Sequence, residues 1–336
     1  MFNIIKYNDI YYISYNIKVG FMKSRYFIVL FCFILLFSVC STSSELETDK
    51  IKANHSPMRE DEIKIMVLIE NYSIDRMYKS GQGLSLLIEH KGNNILLDVG
   101  PNNNFITNAE KMNIDLDKVN YLFLSHNHMD HTRGINGFFG INNIAQAYLM
   151  DNIDSKYYLK LLFINIPAGL SINRKYTSRI NQIGDDLLIE NNIYFLRNSF
   201  SEYEKTSLNN KLFKRVGKSI INDTFDHEAI LVIEENNELV IFSPCSHNGI
   251  LNIIETVKIK IPDKRIGAFI GGLHLWDPFP GANVSIDYLD YLINELKDLD
   301  ITIYTGHCTG TYAFNYMQKY LGEKIQEIST GMILYL

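Results

Sequence analysis

The sequence predicts an α/β protein whose strands and helices stack in layers, and three observations carry that expectation. From residue 62 onward the hydrophobic period switches repeatedly between two and the helical 3.6, as it does when helices cover sheets. Apolar runs of strand length alternate with those helical stretches. Four of the runs end in a histidine-bearing loop, at His126, His247, His274 and His307, and such strand-end loops are where folds place chemistry.

Composition narrows the field before any element is placed. With 336 residues, 46% of them hydrophobic, the chain can build one large domain with a substantial core or two small ones. The formal net charge is −6 and the body of the chain has no long basic run. Nothing supplies the phosphate-neutralising surface that a nucleic-acid partner requires. Four cysteines, at 32, 40, 245 and 308, are too few and too scattered for a disulfide framework.

Taken in order, residues 1–21 show no clean period and precede a second methionine, Met22, so they read as a non-native N-terminal extension. Residues 22–40 read as an export signal: Lys23 and Arg25, an uncharged apolar run over 26–39, then Cys40 and small polar residues. That run is shorter than the roughly 20 apolar residues a spanning helix needs. Residues 36–40 resemble a lipoprotein cleavage box, with Val39 where a small residue is expected. The expectation is an exported protein at the cell envelope, held at the membrane by a lipid on Cys40 or by an uncleaved signal anchor. Residues 41–61 form a polar tether, and residues 62–336 the folded domain.

Within that domain, 63–69 reads as the first strand, and 84–89 with 95–99 as a hairpin turned by Gly92, Asn93 and Asn94. A helix over 104–113 and a strand over 121–124 follow. Residues 151–222, rich in Asn, Lys, Tyr and Ser, read as an irregular segment that could roof a site, with 193–196 as its one clear strand. Strands at 229–233 and 239–242 flank a turn at 235–238. A helix over 249–258, a strand over 266–270, a helix over 284–296 and a strand over 301–304 come next. A helix to about 321 and a closing strand at 332–336 complete the chain, without internal repeats.

The densest chemistry lies at His126, His128, Asp130 and His131, directly after the strand 121–124. Alternate side chains of an extended segment share a face, so His126 and His128 can reach one ion. Asp130 and His131, where the chain turns into a helix, then point at a second position. A solvated polar loop is the bland alternative, but imidazoles with a carboxylate at this spacing suit zinc, or else iron or manganese. Each position is short of ligands, and the downstream histidines are His227, His247, His274 and His307. His55 and His90 read as surface residues.

The cluster, preceded by Asp98-Val99-Gly100, resembles the metallo-β-lactamase superfamily. Residues 83–88, 245–250, 271–275 and 306–310 resemble one branch of it, whose members carry the name dihydropterin-(ribofuranosyl)aminobenzene-phosphate synthase. The resemblance implies a four-layer αββα sandwich with two divalent metal ions at one edge. His126, His128 and a third histidine would hold the first ion, and Asp130, His131 and His307 the second. Superfamily members supply a bridging aspartate after the strand occupied here by 239–242. This chain has Pro244-Cys245-Ser246-His247, so His247 is the ligand assigned from that strand, with His227 as the rival for the same position. Asp98 is expected to fix the histidine loop by hydrogen bonds, and His274 to face substrate or support a ligand. Cys245 and Cys308 read as small side chains packed beneath the site, with thiolate ligation as the sharper alternative.

The expected activity is that of a metallo-hydrolase, with Asp130 orienting a water against an ester, phosphoester or amide-like bond of a small polar molecule. A synthase of the kind the branch name describes is the rival, although an exported protein sits apart from a cytosolic cofactor pathway. A non-catalytic metal- or ligand-binding protein on the same fold is the third reading. A diiron redox role is disfavoured, because members of that kind carry a glutamate where this chain has His128.

Overall fold

The structure is a computed structural model that describes residues 3–7, 10–14 and 62–336, except 162, 191, 279 and 280. It divides into two compact units, Met1–Ser56 and Pro57–Leu336. In the first, β1 (Asn3–Tyr7) pairs antiparallel with β2 (Ile10–Ser14). The export signal, Cys40, His55 and the tether lie outside the described residues. Among the described residues no helix is long and apolar enough to cross a membrane.

The second unit carries the remaining strands. Its first half contains β3 (Lys64–Ile69), β4 (Ser85–His90), β5 (Asn93–Leu97), β6 (Tyr121–Leu124) and β7 (Gln146–Leu149). Then come β8 (Tyr157–Leu161), β9 (Ile164–Pro167), β10 (Ile180–Gln182), β11 (Leu187–Ile189), β12 (Ile193–Arg197), β13 (Leu212–Val216) and β14 (Ser219–Asn222). The last stretch contains β15 (Ala229–Glu235), β16 (Glu238–Phe242), β17 (Arg265–Ile270), β18 (Trp276–Asp277), β19 (Ala282–Asn283), β20 (Thr302–Thr305), β21 (Ile325–Glu327) and β22 (Ile333–Tyr335).

Two seven-stranded sheets result, ordered β10-β7-β6-β5-β4-β3-β22 and β11-β12-β15-β16-β17-β20-β21. The two-residue period decides what faces what. On β15, Ala229, Leu231 and Ile233 point between the sheets, where they join Val67, Leu86, Ile95 and Phe123. Ile230 and Val232 point the other way, into helices Ile250–Lys260, Ile286–Leu296 and Thr311–Leu321. Helices Asn104–Lys111 and Ile135–Ile141 cover the opposite face of the first sheet through Phe105, Ala109, Ile135 and Phe138. This is the four-layer αββα sandwich that the sequence led us to expect.

Three sequence readings are corrected. Residues 151–222 contain, among the described residues, seven strands rather than one: β8, β9, β13 and β14 form a separate sheet ordered β14-β13-β8-β9, and β10 and β11 extend the two main sheets. Their apolar residues are not confined to a buried face, as Ile164, Leu188 and Val216 show at 46%, 52% and 53% exposure, so no clean alternation marks them. The hairpin turn is Lys91-Gly92 rather than Gly92-Asn93-Asn94, with both φ angles positive, the backbone that matches strand twist. His90 is not a surface residue: it is 2% exposed and pairs with Glu235 across the two sheets.

Candidate metal centre

Parallel pairing brings the chemistry together. β5 runs parallel to β6, and β16, β17 and β20 run parallel to one another. Their carboxyl ends therefore deliver Asp98, His126, Cys245, His247, His274 and His307 to one edge of the sandwich. The loops are tightly constrained. Asp98, Ser246, His274 and His307 all adopt positive φ, a conformation that non-glycine residues seldom take and that clusters at functional sites. Gly83 is needed for another reason: a Cβ there would stand 2.1 Å from the Asp130 carbonyl oxygen. Without a side chain, the loop before β4 can press against the histidine loop.

The first set of ligand-type atoms comes from His126, His128 and His247, which lie within 4.8 Å of one another. Asp130, His131 and His307 form a second such set. For His126, His131, His247 and His307, polar neighbours settle which imidazole nitrogen points away from the centre. Ser125 donates its hydroxyl to Asp98 Oδ2 at 2.7 Å, so its oxygen accepts from His126 Nδ1 at 2.8 Å. Asp98 Oδ2 also takes the proton of His131 Nδ1 at 2.7 Å. Asn209 donates to the His247 carbonyl and presents Oδ1 to His247 Nδ1 at 3.1 Å. Asn71 does the same for His307: it donates to the His307 carbonyl, and its Oδ1 lies 3.1 Å from Nδ1.

Four Nε2 lone pairs are thus turned inward. Those of His126 and His247 are buried without any hydrogen-bond partner, and those of His131 and His307 face each other at 3.2 Å. Facing lone pairs repel unless a cation lies between or beside them. Burial and the neighbouring imidazoles hold the His126 and His247 pKa values well below the usual range, which keeps both lone pairs free. Burial alone would also lower His307, yet Cys308, Asp130 and Glu70 push it up to about 9, so without an ion this ring holds a second proton that a bound cation would displace from Nε2. Asp130 stays anionic: burial opposes its charge, but His131 and His307 hold its carboxyl well below the usual range. Its side chain is 32% exposed, the open face of an otherwise closed cluster. Clustered imidazoles beside one carboxylate are a donor set that fits a divalent metal ion.

The other residues singled out from the sequence have distinct places. His227 is withheld from the first set, because Nδ1 accepts from Asn127 N at 3.1 Å and Nε2 meets Asp223 Oδ2 at 2.9 Å. His274 packs its ring 4.2 Å from that of His247, and both its nitrogens are buried without partners. Asp98 touches Ser125 and His131, which fixes the histidine loop from below. Cys245 and Cys308 are free thiols, buried beside the histidines.

Several contributors carried no sequence signal. Glu70 accepts backbone N–H groups of Tyr72 and His307, and burial, partly offset by those bonds, lifts its pKa to about 7. Glu228 accepts from the backbone of His247 and Asn248 at 2.6 and 2.8 Å, which sets the His247 loop. Asp223 lies between His128 and His227. Asn71 and Asn209 sit in segments without periodic pattern, where one polar residue looks like any other.

Comparison with known proteins agrees with this geometry. Residues 78–164 match the family model of the metallo-beta-lactamase superfamily. The chain is 30% identical, over 82% of its length and 97% of the relative's, to 7,8-dihydropterin-6-methyl-4-(β-D-ribofuranosyl)-aminobenzene-5'-phosphate synthase of Methanocaldococcus jannaschii. It is similar in fold to Tm1679, a metal-dependent hydrolase of the beta-lactamase superfamily, with a TM-score of 0.69 and 24% identity over 82% of this chain and 99% of that one. It also resembles Zn(2+)-bound PqqB of Methylobacterium extorquens, with a TM-score of 0.52 and 13% identity over 81% of this chain and 100% of that one. The chain belongs to the metallo-β-lactamase superfamily, in the branch that resembles this dihydropterin-linked synthase.

Proposed function

We propose that the protein is a metal-dependent hydrolase with a dinuclear centre, most naturally zinc, acting on an ester, phosphoester or amide-like bond of a small polar substrate. The observation that carries this reading is the inward turn of four bare Nε2 atoms beside the anionic, partly open Asp130. His126, His128 and His247 would hold one ion, and Asp130, His131 and His307 the other. When bound, such ions supply a water acidic enough to ionise near neutral pH and a Lewis acid for the bond under attack. Asp130, the partly open anion of the cluster, orients that water. Asp98, Asn71 and Asn209 keep His131, His307 and His247 in the tautomer that leaves Nε2 free. His274 offers a nitrogen to the substrate beside His247.

The 30% relative supports a second reading, a synthase joining a pterin to a ribofuranosyl-aminobenzene phosphate. One experiment separates the two. Metal-loaded protein is assayed against phosphomonoesters, phosphodiesters, lactones and thioesters, and in parallel against that phosphate plus a reduced pterin. Hydrolysis abolished by His126→Ala supports the first proposal, and turnover of the second mixture alone sinks it. Metal bound with no turnover of either would favour a binding protein. Export through residues 22–40, with Cys40 at the membrane, is part of the proposal on sequence grounds, and fractionation showing an unprocessed cytosolic product would refute it.

A further inference from the structure

Two sets of imidazoles lie at the site, and the Cys245 sulphur, which belongs to neither, reaches members of both. It stands 3.1 Å from His131 Nε2, and it groups with His126 and His131 on one side and with His307 and Cys308 on the other, in each case within 4.8 Å. Among the described residues, His131 is the other residue grouped with both His126 and His307, but it already belongs to the second set, whereas Cys245 belongs to neither. We propose that Cys245 is the bridging ligand of the centre, a thiolate standing where the relatives' pattern leads one to expect a carboxylate. This inference rests on the two-ion reading above.

The neighbouring cysteine does not compete for the role. The Cys308 sulphur accepts the His274 backbone N–H at 3.3 Å and lies 3.6 Å from both the carbonyl oxygen and the sulphur of Cys245. It fills a slot opened by Gly272, where a Cβ would come within 2.5 Å of it. Cys308 is therefore a positioning residue, whose S–H points at Cys245 and steadies its sulphur. The Cys245 sulphur has fewer ties: among the described residues its contacts are His131 Nε2 and Cys308, so it is free to coordinate. Ligation replaces the S–H bond of Cys245 with a sulphur–metal bond, and the proton leaves to solvent. A soft, polarisable sulphur shared between two ions would favour zinc over magnesium or calcium, which prefer oxygen.

Cobalt(II) makes the sulphur visible. Loaded with two equivalents, the full-length protein should show a near-ultraviolet sulphur-to-cobalt charge-transfer band. That band should persist in Cys308→Ser and be lost in Cys245→Ser, together with roughly tenfold or greater weakening of the second equivalent. A band that survives Cys245→Ser, or that vanishes only with Cys308→Ser, overturns the assignment. If Cys245→Ser does not fold, zinc-edge X-ray absorption on the unmodified protein decides the question. A sulphur scatterer near about 2.3 Å supports it, and a shell of nitrogen and oxygen alone refutes it. Failure to bind any metal would remove the dinuclear reading itself, whereas two tightly held ions without sulphur would remove only this inference.

Discussion

An imidazole can ligate a metal only through a nitrogen that carries no proton, so the small polar residues that hold the N–H on the other nitrogen matter as much as the histidines. Asp98 is the clearest case, since one carboxylate accepts from Ser125 and from His131 and so sets two rings at once. Asp98→Asn keeps the shape but offers an amide N–H where a proton must be accepted. We expect metal affinity to fall about 10- to 100-fold, as it does when such supports are lost. Equilibrium competition with a chromogenic chelator would show this, and unchanged affinity would refute the role. His227→Asn, by contrast, should leave the first ion in place, because both nitrogens of His227 are already engaged by Asn127 and Asp223. At this scale the sequence was informative where residue types are rare and tightly spaced, as from His126 to His131. Asn71, Asn209 and Asp223 were illegible for a physical reason: their value lies in direction, which depends on where distant loops pack.

At the level of elements, the edge away from the histidines holds a second polar contact between sheets. His90 closes β4 and Glu235 closes β15, and the two side chains meet with Lys91 beside them. Burial lowers the His90 pKa from 6.5, more than its bond to Glu235 raises it. Glu235 is also lowered: burial opposes its charge, but Lys91 and His90 outweigh burial. Both groups hold protons less readily folded than unfolded, so both stabilise the fold at high pH. His90 begins to lose its share as pH falls through 6.5, and Glu235 as it falls through 4.5. His90→Gln should therefore flatten the decline of the urea midpoint between pH 7.5 and 5, and parallel wild-type and variant curves would count against this linkage. This contact was missed because the strand was read as ending at residue 89, which left His90 in the turn. In residues 151–222, β9, β11, β13 and β14 bury none of their residues, which leaves no alternation to read. The inner strands of the two main sheets were legible because one or both of their faces are buried, as on β15, whereas β7, β10, β11 and β21, at or next to the sheet edges, were not read.

Across the whole second unit, the site is a seam between the two sheets. His126, His128, Asp130 and His131 follow β6 of the first sheet, whereas Cys245, His247 and His307 follow β16 and β20 of the second. Glu70 and Asn71, after β3, already reach across to the His307 loop. Between the sheets the contact is apolar, with Phe123 and Phe195 packed at a ring-centroid distance of 4.8 Å. Ions bound at the seam would join halves that the core holds together elsewhere, so folding and metal binding should reinforce each other. Saturating metal at about 1,000 times Kd should add about 4 kcal/mol to stability. Phe123→Ala should cost about 3–5 kcal/mol by leaving a cavity. The two effects lie on one seam: in Phe123→Ala the sheets are freer to shift, and the ligand sets must be ordered as the ions bind. Metal affinity should then fall even though Phe123 touches no ligand, and the fall should appear in calorimetric titration as a larger entropic penalty. Identical affinity in the folded variant would mean that the edge loops are held by their own hydrogen bonds, independently of the core beneath them.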